Sequence, residues 1–589
     1  MNRPPPVAAS SGVDMERVLE HVRWFGEHTP NRISGGGQDA LAAEYIATTL
    51  SGYGLEATLQ AFDTYSSRIG SGRLEVTGPD GWSPRVKPCL HVDSTPPEGI
   101  EAELISVGAG GREDYERVDA RGKILLAEVS YAPATPEKAR LAFEHGAAGM
   151  VLMNWGREDQ DNIPWRALKS VWGNPTRSTW PHIPRLPAVA VTRRDGERLK
   201  RACQRGTVAV TMAVHGERYW ANVVQPLAWL RAPASSAEAQ QFAVVSGHLD
   251  AWEPGVTDNA TGNAVMLEIA RVLAGDRDRL RRSVVFCFWN GHEIAEAAGS
   301  TYFVDTHWEA LQRAGVMYAN IDSVGMRGAD RFTINTSPEL RGVHRLVPAG
   351  VLPESLEVAQ LQRIGDQSFF GVGVPAVSAR HAFSPEMVQG WNGATLGWWN
   401  HSEQDTDEQL DTAVLERDAR FWAALIASVA TEARLPYRMG VLVEDLRTRW
   451  ERVLAEGEAP DHLAPVTEGL RGLEARATWL DGLEPRDDRQ VCLINDVKMQ
   501  LSRHLTSVRA TVVGRYGQDS YGLTDLQEPI PMLAPLHRYR ELAQGDGERY
   551  LIATELMRVR QKFSDAVNAS IRELDALEAR LSLDGRVAS

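Results

Sequence analysis

The sequence has few cysteines and no long apolar stretch, and each absence excludes a class of protein. Only four cysteines occur among 589 residues, far apart and without CxxC spacing, so a disulfide framework is not expected. No apolar run approaches the roughly 20 residues that a membrane-spanning helix needs, and the first residues lack the apolar core of a signal peptide. These features predict a cytoplasmic protein that does not act at a membrane.

Basic residues are also fewer than acidic residues, with 63 Lys and Arg against 78 Asp and Glu. The formal net charge is −15, with 43% hydrophobic and 24% charged residues. This acidity argues against a nucleic-acid or anionic-membrane partner, while the overall composition is typical of a soluble globular protein. A chain of 589 residues is too long for one ordinary core and predicts two or three domains.

Strand-like apolar segments repeatedly end in residues that bind metals. Segments 242–247, 283–289, 316–321 and 398–400 each lead into histidine or acidic residues. In an open α/β sheet, active sites form at the carboxyl ends of the strands, so these side chains are expected to meet. The candidate metal ligands are His248, Asp258, Glu293, Asp322 and His401.

Two histidines with three carboxylates suit a borderline divalent cation such as zinc, with manganese, cobalt or iron as alternatives. One aspartate can bridge two cations about 3.5–4 Å apart, and such a pair polarises a carbonyl and lowers the pKa of bound water. Each residue alone has an ordinary explanation; Asp258, for example, could cap a helix. Together the five predict a metalloenzyme with two clustered cations.

The periodicity and composition of the sequence change along the chain. Residues 14–52 have the periodicity of two helices around a polar turn, and residues 95–222 show short strands with many Gly and Pro turns. Residues 242–435 alternate strands with helices, and from about 438 the pattern becomes helical. Residues 548–582 carry one long apolar stripe, which must be buried either in the core of this chain or against a second subunit.

Residues 14–435 contain seven short motifs: Arg32-Ile-Ser-Gly35, Gly247-His-Leu-Asp250, Thr257-Asp-Asn-Ala-Thr-Gly262, Gly299-Ser300, Asn320-Ile-Asp322, Gly365-Asp-Gln-Ser368 and His401-Ser-Glu-Gln-Asp-Thr406. Together they resemble the co-catalytic zinc peptidases, the family that includes bacterial leucyl aminopeptidases, glutamate carboxypeptidase and the transferrin receptor. The strand and helix order of residues 95–222 resembles the protease-associated domain of such peptidases.

The resemblance implies an α/β fold with a mixed, mostly parallel sheet flanked by helices. It also implies an inserted protease-associated domain and a C-terminal helical domain. The predicted divisions are residues 1–94 (first part of the peptidase-like domain), 95–222 (insertion), 223–437 (metal-binding catalytic domain) and 438–589 (helical domain).

The resemblance also implies how the candidate ligands are divided between two metal sites. Asp250 would accept from the far nitrogen of His248 and so fix the tautomer of that ring. One metal would be held by His248, Asp258 and Asp322, and the other by Asp258, Glu293 and His401.

The chain departs from the family where two adjacent glutamates, a general base and a metal ligand, are usual. It has His292 and Glu293 there, with one extra residue before Gly299. Counting from Trp289 makes His292 the base and Glu293 the ligand. Counting back from Gly299 makes Glu293 the base and places Ile294, which cannot ligate, in the ligand position. We prefer the first register because it keeps five ligands.

A histidine beside two cations should have a lowered pKa and so be able to accept a proton. A protonated histidine is a cation and is repelled by the metal dications, whereas a protonated glutamate is neutral. Slower peptide hydrolysis or different chemistry is therefore expected. Glu296, three residues after Glu293 and on the same predicted helix face, is a third candidate for the proton-transferring group.

The prediction is a metal-dependent hydrolase that cuts an amide next to a free amino group in a small peptide, like an aminopeptidase. The alternatives are an amidase or cyclase that acts on a non-peptide metabolite, and a non-catalytic receptor-like homologue. Trp391, Trp398 and Trp399 could wall the substrate pocket or pack in the core. By analogy with glutamate carboxypeptidase, the C-terminal helices are expected to form a homodimer.

Overall fold

The structure is a computed structural model that describes residues 5–78, 81–352, 355–361, 365–520 and 529–587. Thirteen strands within these ranges form one sheet. In chain order they are β1 Glu56–Val76, β2 Val86–Pro88, β3 Ile100–Ser106, β4 Ile124–Glu128, β5 Gly149–Met153, β6 Ala188–Val191, β7 Val208–Leu230, β8 Phe242–His248, β9 Ser283–Trp289, β10 Gly315–Asn320, β11 Arg331–Thr336, β12 Leu356–Gln360 and β13 Ala376–Ala382.

The same residues form sixteen α-helices, several of which begin at a capping side chain. Asp14, for example, accepts the backbone N–H groups of Glu16 and Arg17 at the start of the second helix. The helices are α1 Pro5–Ser11, α2 Met15–His28, α3 Gln38–Gly52, α4 Arg112–Tyr115, α5 Thr135–Glu144, α6 Arg193–Arg205, α7 Thr261–Gly275, α8 Ala298–Thr306, α9 Trp308–Ala314, α10 Pro385–Gly390, α11 Thr412–Thr431, α12 Met439–Ala455, α13 Ala464–Asp481, α14 Asp488–Ala510, α15 Pro535–Glu541 and α16 Gly547–Val587.

The sheet has a catalytic half and an insertion half. The catalytic half runs β12-β11-β13-β10-β8-β9, and the insertion half runs β3-β4-β5-β6-β2, with β7 between them. Strands β10, β8 and β9 are mutually parallel and buried along their whole length. Burial on both faces explains why their sequences are apolar runs without alternation. The fold class predicted from the resemblance is confirmed.

A long two-stranded ribbon joins the two halves. Strands β1 and β7 pair antiparallel over most of their length, while β7 pairs with β9 near its end and with β3 near its start. Residues 64–67 are all buried, so the period of two disappears where both faces of the ribbon are covered. The predicted boundary at residue 222 falls inside β7, because one strand serves both halves.

The C-terminal helices pack on one another and account for the apolar stripe of α16. Helix α16 contacts α13 and α14, and the ring of Phe563 lies 4.7 Å from that of Trp450 on α12. The stripe residues Val559, Phe563, Val567 and Leu574 are at most 5% exposed. The stripe is therefore core within this chain. None of the described helices has both the length and the apolarity that crossing a membrane requires.

Candidate metal centre

The candidate ligands lie at one edge of the catalytic half, as the strand-end pattern predicts. His248 is the last residue of β8, Glu293 follows β9, and Asp322 follows β10. Asp258 lies in the turn Val256–Ala260 that leads into α7. The expectation that residues 398–400 form a strand is wrong: His401 lies in the loop between α10 and α11 with a left-handed φ of 63°. Because the three strands are parallel, their carboxyl ends bring these side chains together.

The five side chains form two sets that share Asp258. His248 Nε2 lies 2.9 Å from Asp258 Oδ1 and 3.4 Å from Asp322 Oδ1. His401 Nε2 lies 3.2 Å from Asp258 Oδ2 and 3.2 Å from Glu293 Oε2. The two oxygens of Asp258 thus face different partners, which is the arrangement that a bridging carboxylate requires.

The burial and charge of these groups fit divalent cations. His248, Asp258 and Glu293 are at most 6% exposed, and one ligand atom from each can be chosen so that all three lie within 4.8 Å of one another. Glu293 Oε1 is buried without a hydrogen-bond partner among the described residues. Burial, followed by the charge of Asp258, raises the pKa of Glu293 well above its usual value. Buried adjoining carboxylates are costly, and a cation between them offsets that cost.

Asp250 supports the site differently from the sequence-based expectation. His248 Nδ1 donates to the backbone carbonyl of Asp250 at 2.8 Å, so the carbonyl and not the carboxylate fixes the ring with Nε2 toward the ligands. The Asp250 carboxylate instead accepts the Ser34 hydroxyl and the backbone N–H groups of His292 and Glu293 at 3.1 and 3.0 Å. The expectation was wrong because a side chain two residues beyond a strand end can turn away from its neighbour, toward the loop after β9.

The second histidine ligand has a less favourable partner. Nδ1 of His401 lies 3.3 Å from Nη1 of Arg166, which can only donate. Arg166 is 8% exposed, and its Nε and Nη2 have no hydrogen-bond partner in the part of the chain that the structure describes. Burial lowers the pKa of His401, and the charge of Arg166 lowers it further. The proton position that suits a metal-bound Nε2 is therefore favoured at His248 and opposed at His401.

Asp405 and Asn400 hold Asp258 in place, and sequence reasoning gave neither a role. The Asp405 carboxylate accepts the backbone N–H groups of Thr257 and Asp258 at 2.9 and 3.0 Å, and burial raises its pKa to about 7. Asn400 Nδ2 donates to Asp258 Oδ2. The only sequence signal was the position of Asp405 within the motif that begins at His401.

His292 faces the ligands from the base position. Its ring stacks on that of His248, with centroids 4.2 Å apart and planes 19° apart. Its Nδ1 lies 3.0 Å from Asp366 Oδ2, and Asp366 itself is 1% exposed. Burial lowers the pKa of His292, but Asp366 outweighs it and the result is about 10. The protein groups therefore act on this pKa in the direction opposite to the predicted effect of cations.

The turn after β9 places Glu293 among the ligands and Ile294 away from them. Ile294 is 1% exposed in an apolar cluster with Leu90 and Trp252. The expectation that Glu296 shares a helix face with Glu293 is wrong, because α8 begins only at Ala298. Glu296 has a left-handed φ of 51° and lines the same cavity as Glu293.

A cavity of about 240 Å³ opens beside the second set of ligands. Trp391, Trp398 and Trp399, proposed from sequence as pocket walls or core, do not line it; Trp391 and Trp399 pack edge-to-face on Phe383, so core packing applies. The insertion half instead contributes two aromatic residues to the cavity wall, Trp165 and Trp172. The pattern of short strands and turns in its sequence did not indicate this. The lining residues are Thr135, Pro136, Trp165, Arg166, Ala167, Trp172, Trp252, His292, Glu293, Glu296, Ala297, Gly365 and His401.

Curated relatives include peptidases of several kinds. Carboxypeptidase Q of Xenopus laevis is 24% identical over 446 residues, which cover 73% of this chain and 89% of the relative. Aminopeptidase YwaD of Bacillus subtilis is 26% identical over 308 residues, 52% of this chain and 60% of the relative. The probable glutamate carboxypeptidase VP8 of Zea mays is 25% identical over 378 residues, 55% of this chain. The chain spans about half the length of that maize relative (51%).

Solved structures and family models agree on the architecture. A zinc aminopeptidase from Bacillus subtilis superposes with a TM-score of 0.56 at 21% identity, covering 71% of this chain and 96% of that one. A peptidase M28 precursor from Shewanella amazonensis gives 0.59 at 16% identity, covering 72% and 95%. Residues 230–426 match peptidase family M28, and residues 99–199 match the PA domain. The resemblance read from the motifs is thereby confirmed: the segment that matches peptidase family M28 carries the candidate metal centre, and the segment that matches the PA domain lies ahead of the central strands.

Proposed function

We propose that the chain is a dinuclear metal-dependent hydrolase that cleaves an amide bond of a small peptide next to a free amino group. The observation that carries this proposal is the placement of the two Asp258 oxygens between two ligand sets. Zinc is the proposed metal because the donors are imidazole and carboxylate, and a structural relative is described as a zinc aminopeptidase. In this site the bound cations would supply polarisation of the scissile carbonyl and a hydroxide available near neutral pH.

His292 is the proposed general base. Its Nδ1 lies 3.0 Å from Asp366 Oδ2, and the charge of that carboxylate favours a proton on Nδ1, which leaves Nε2 as the nitrogen that exchanges a proton with the attacking water. The Ser300 hydroxyl donates to the other oxygen of Asp366 at 3.2 Å, which fixes the carboxylate. His292 would then return the proton to the leaving amine.

The loop that presents His292 is fixed by Asp250. Because the Asp250 carboxylate holds two consecutive backbone N–H groups, the base and the adjacent ligand Glu293 move together. In this role Asp250 acts through the backbone and does not touch the substrate.

Metal analysis of purified variants tests the proposal. Asp258→Ala should remove most of both metals, because it removes an oxygen from each set, whereas His248→Ala should mainly weaken the first site. Metal content is measured by mass spectrometry after dialysis, and hydrolysis is followed on a panel of aminoacyl amides and dipeptides. Full metal occupancy in Asp258→Ala would contradict the assignment, and so would a wild-type protein that holds fewer than two cations.

The histidine in the base position favours one alternative, an amidase or cyclase that acts on a non-peptide metabolite. His292→Glu restores the family's usual pair and should leave both metals bound. If the native substrate is a peptide, this variant should keep or raise peptidase activity. If it instead loses the native activity while gaining ordinary aminopeptidase activity, the native reaction is not simple peptide hydrolysis. The receptor-like alternative would require a chain that binds no metal.

A cytoplasmic location remains part of the proposal. Its support is that Cys89, Cys203, Cys287 and Cys492 are all unpaired, which fits a reducing compartment. Cell fractionation tests this directly, and recovery of the protein outside the cytoplasm would overturn it.

A further inference from the structure

The turn that carries Glu293 is held from the insertion half of the sheet. Three successive carbonyl oxygens of this turn each accept a bond from that side. Ile294 O accepts from His91 Nε2 at 2.9 Å, Ala295 O accepts from Lys169 Nζ, and Glu296 O accepts the backbone N–H of Gly173 at 2.7 Å. His91 follows β2, and Lys169 and Gly173 lie between β5 and β6.

The loop that carries His401 is held from the same segment. The backbone N–H of Trp165 donates to His401 O at 2.8 Å, and Asn162 Nδ2 donates to Trp398 O at 2.7 Å. Residues 162–174, here called the clamp segment, therefore bond to both loops that bear a ligand of the second set.

The first set is held within the catalytic half. His248 is part of β8, and its backbone carbonyl accepts from Asn263 Nδ2 on α7 at 2.9 Å. Its ring donates to Asp250 O. Asp322 Oδ1 accepts the hydroxyl of the adjacent Ser323 at 3.0 Å. These bonds all come from residues of the catalytic half, on β8, on α7 or in the loops that follow β8 and β10.

Lys169 is the least expected member of the clamp segment. It is fully buried, and its ammonium group donates to two backbone carbonyls, Gly173 O and Ala295 O. A buried ammonium is costly unless its hydrogen bonds are made, so Ala295 O is tied firmly to the clamp segment. Lys138 makes the same kind of contact, to Ala109 O and Tyr131 O, but entirely within the insertion half.

We infer that the clamp segment, together with His91, positions the second divalent-cation site, and that the first site, which the clamp segment reaches only through the shared Asp258 and the loop that holds it, depends on it less. The inference rests on the proposed function, since it concerns the same pair of sites. It makes Lys169 and His91 positioning residues for Glu293, and it makes the inserted domain a structural part of the metal centre.

Lys169→Met tests the inference against the matched control Lys138→Met, both in the full-length chain. Each protein is loaded with zinc and dialysed against graded concentrations of a weak chelator, and metal per chain is measured together with the thermal midpoint. Loss of a supporting group typically lowers metal affinity by roughly 10–100-fold. Lys169→Met should therefore keep one cation at chelator concentrations where the wild type and Lys138→Met keep two.

A second pair of variants, at His91, tests the inference if Lys169→Met fails to fold. His91→Phe removes the donor to Ile294 O while keeping a ring, and His91→Gln restores an N–H donor. Selective loss of the second cation in His91→Phe, with recovery in His91→Gln, would support the inference. Two cations at wild-type affinity in both Lys169→Met and His91→Phe would overturn it, as would equal weakening of both sites. A wild type that never holds two cations would instead refute the proposed function.

Discussion

Replacing Asp366 with asparagine is predicted to lower the pKa of His292 in chelator-treated protein by about three pH units or more. The variant keeps the size of the side chain and the contact to Nδ1 but removes the negative charge. In the wild type, His292 Nδ1 lies 3.0 Å from Asp366 Oδ2, and the pKa of His292 is raised to about 10 from an ordinary value of 6.5 although burial lowers it. Without the charge of Asp366, burial and the neighbouring His248 lower the pKa of His292. Glu293 is then the remaining charge that raises it.

The size of the effect follows from Coulomb's law. Unit charges 3.0 Å apart interact by about 5–6 kcal/mol at an effective dielectric constant of about 20. That energy corresponds to about four pH units, which is large enough to overcome burial and reach the raised pKa. The His292 side chain is 22% exposed, so solvent reduces the effect somewhat. The asparagine variant should therefore titrate near or below 6.5.

Nuclear magnetic resonance of histidine ring carbons, with His292→Gln to assign the signal, measures this directly. In the wild type His292 should stay protonated through pH 8, and in Asp366→Asn it should not. The linked stability has a definite sign: because the folded pKa is raised, the contribution is fully present below pH 6.5 and is lost as the pH rises through about 10. A wild-type His292 that titrates at or below 6.5 in the chelated protein would refute the reasoning.

Three further results are expected. His292→Ala should lower turnover by roughly 10²–10⁴-fold with both metals bound, whereas Glu293→Ala should cost the second metal; the reverse pattern in paired metal and kinetic assays would show that Glu293 is the base. Arg166→Gln should raise zinc affinity at the second site in chelator competition, because an amide oxygen can accept from His401 Nδ1 whereas the guanidinium cannot; weaker binding would show that Arg166 supports the site. A homodimer through the C-terminal helices remains a prediction. Its support is the apolar side chain of Leu551 on α16, which is 72% exposed. Sedimentation should show a dimer at micromolar concentration that Leu551→Glu dissociates, and a wild-type monomer would exclude it.

Three of the five candidate ligands could be brought together from sequence alone, because His248, Glu293 and Asp322 each end or follow a buried strand. His248 and Asp322 lie within two residues of β8 and β10, and parallel strands must bring their carboxyl ends to one edge. Local pattern and sheet topology together therefore determine which side chains meet. The same reasoning located α16, whose period of 3.6 is set by burial of one face.

The contacts of the site with the insertion half could not be predicted in this way. Trp165 and Arg166 are more than 230 residues from His401 in the chain, at separations of 236 and 235 positions, and no periodicity connects them. The direction of the Asp250 carboxylate also depended on tertiary contacts, since Ser34 and the loop after β9 are its partners. Such assignments depend on how separate segments pack, which propensity and spacing do not specify.

His292 and the residue that the resemblance counts as extra between Trp289 and Gly299 lie in the same turn. Glu296 and Ala297 have left-handed φ values of 51° and 60°, a conformation that costs a non-glycine residue roughly 1–2 kcal/mol. That cost is offset at the same place, because the carbonyls of residues 294–296 are all bonded from the insertion half. The longer turn keeps Glu293 at the metal centre and presents His292 to Asp366. A glutamate in the base position would instead place two carboxylates side by side there, so the histidine and Asp366 act as one unit. The effects of exchanging the two residues should therefore not be additive, and a double-mutant cycle on turnover with His292→Glu and Asp366→Asn measures that coupling; strictly additive effects would show that the two residues act separately.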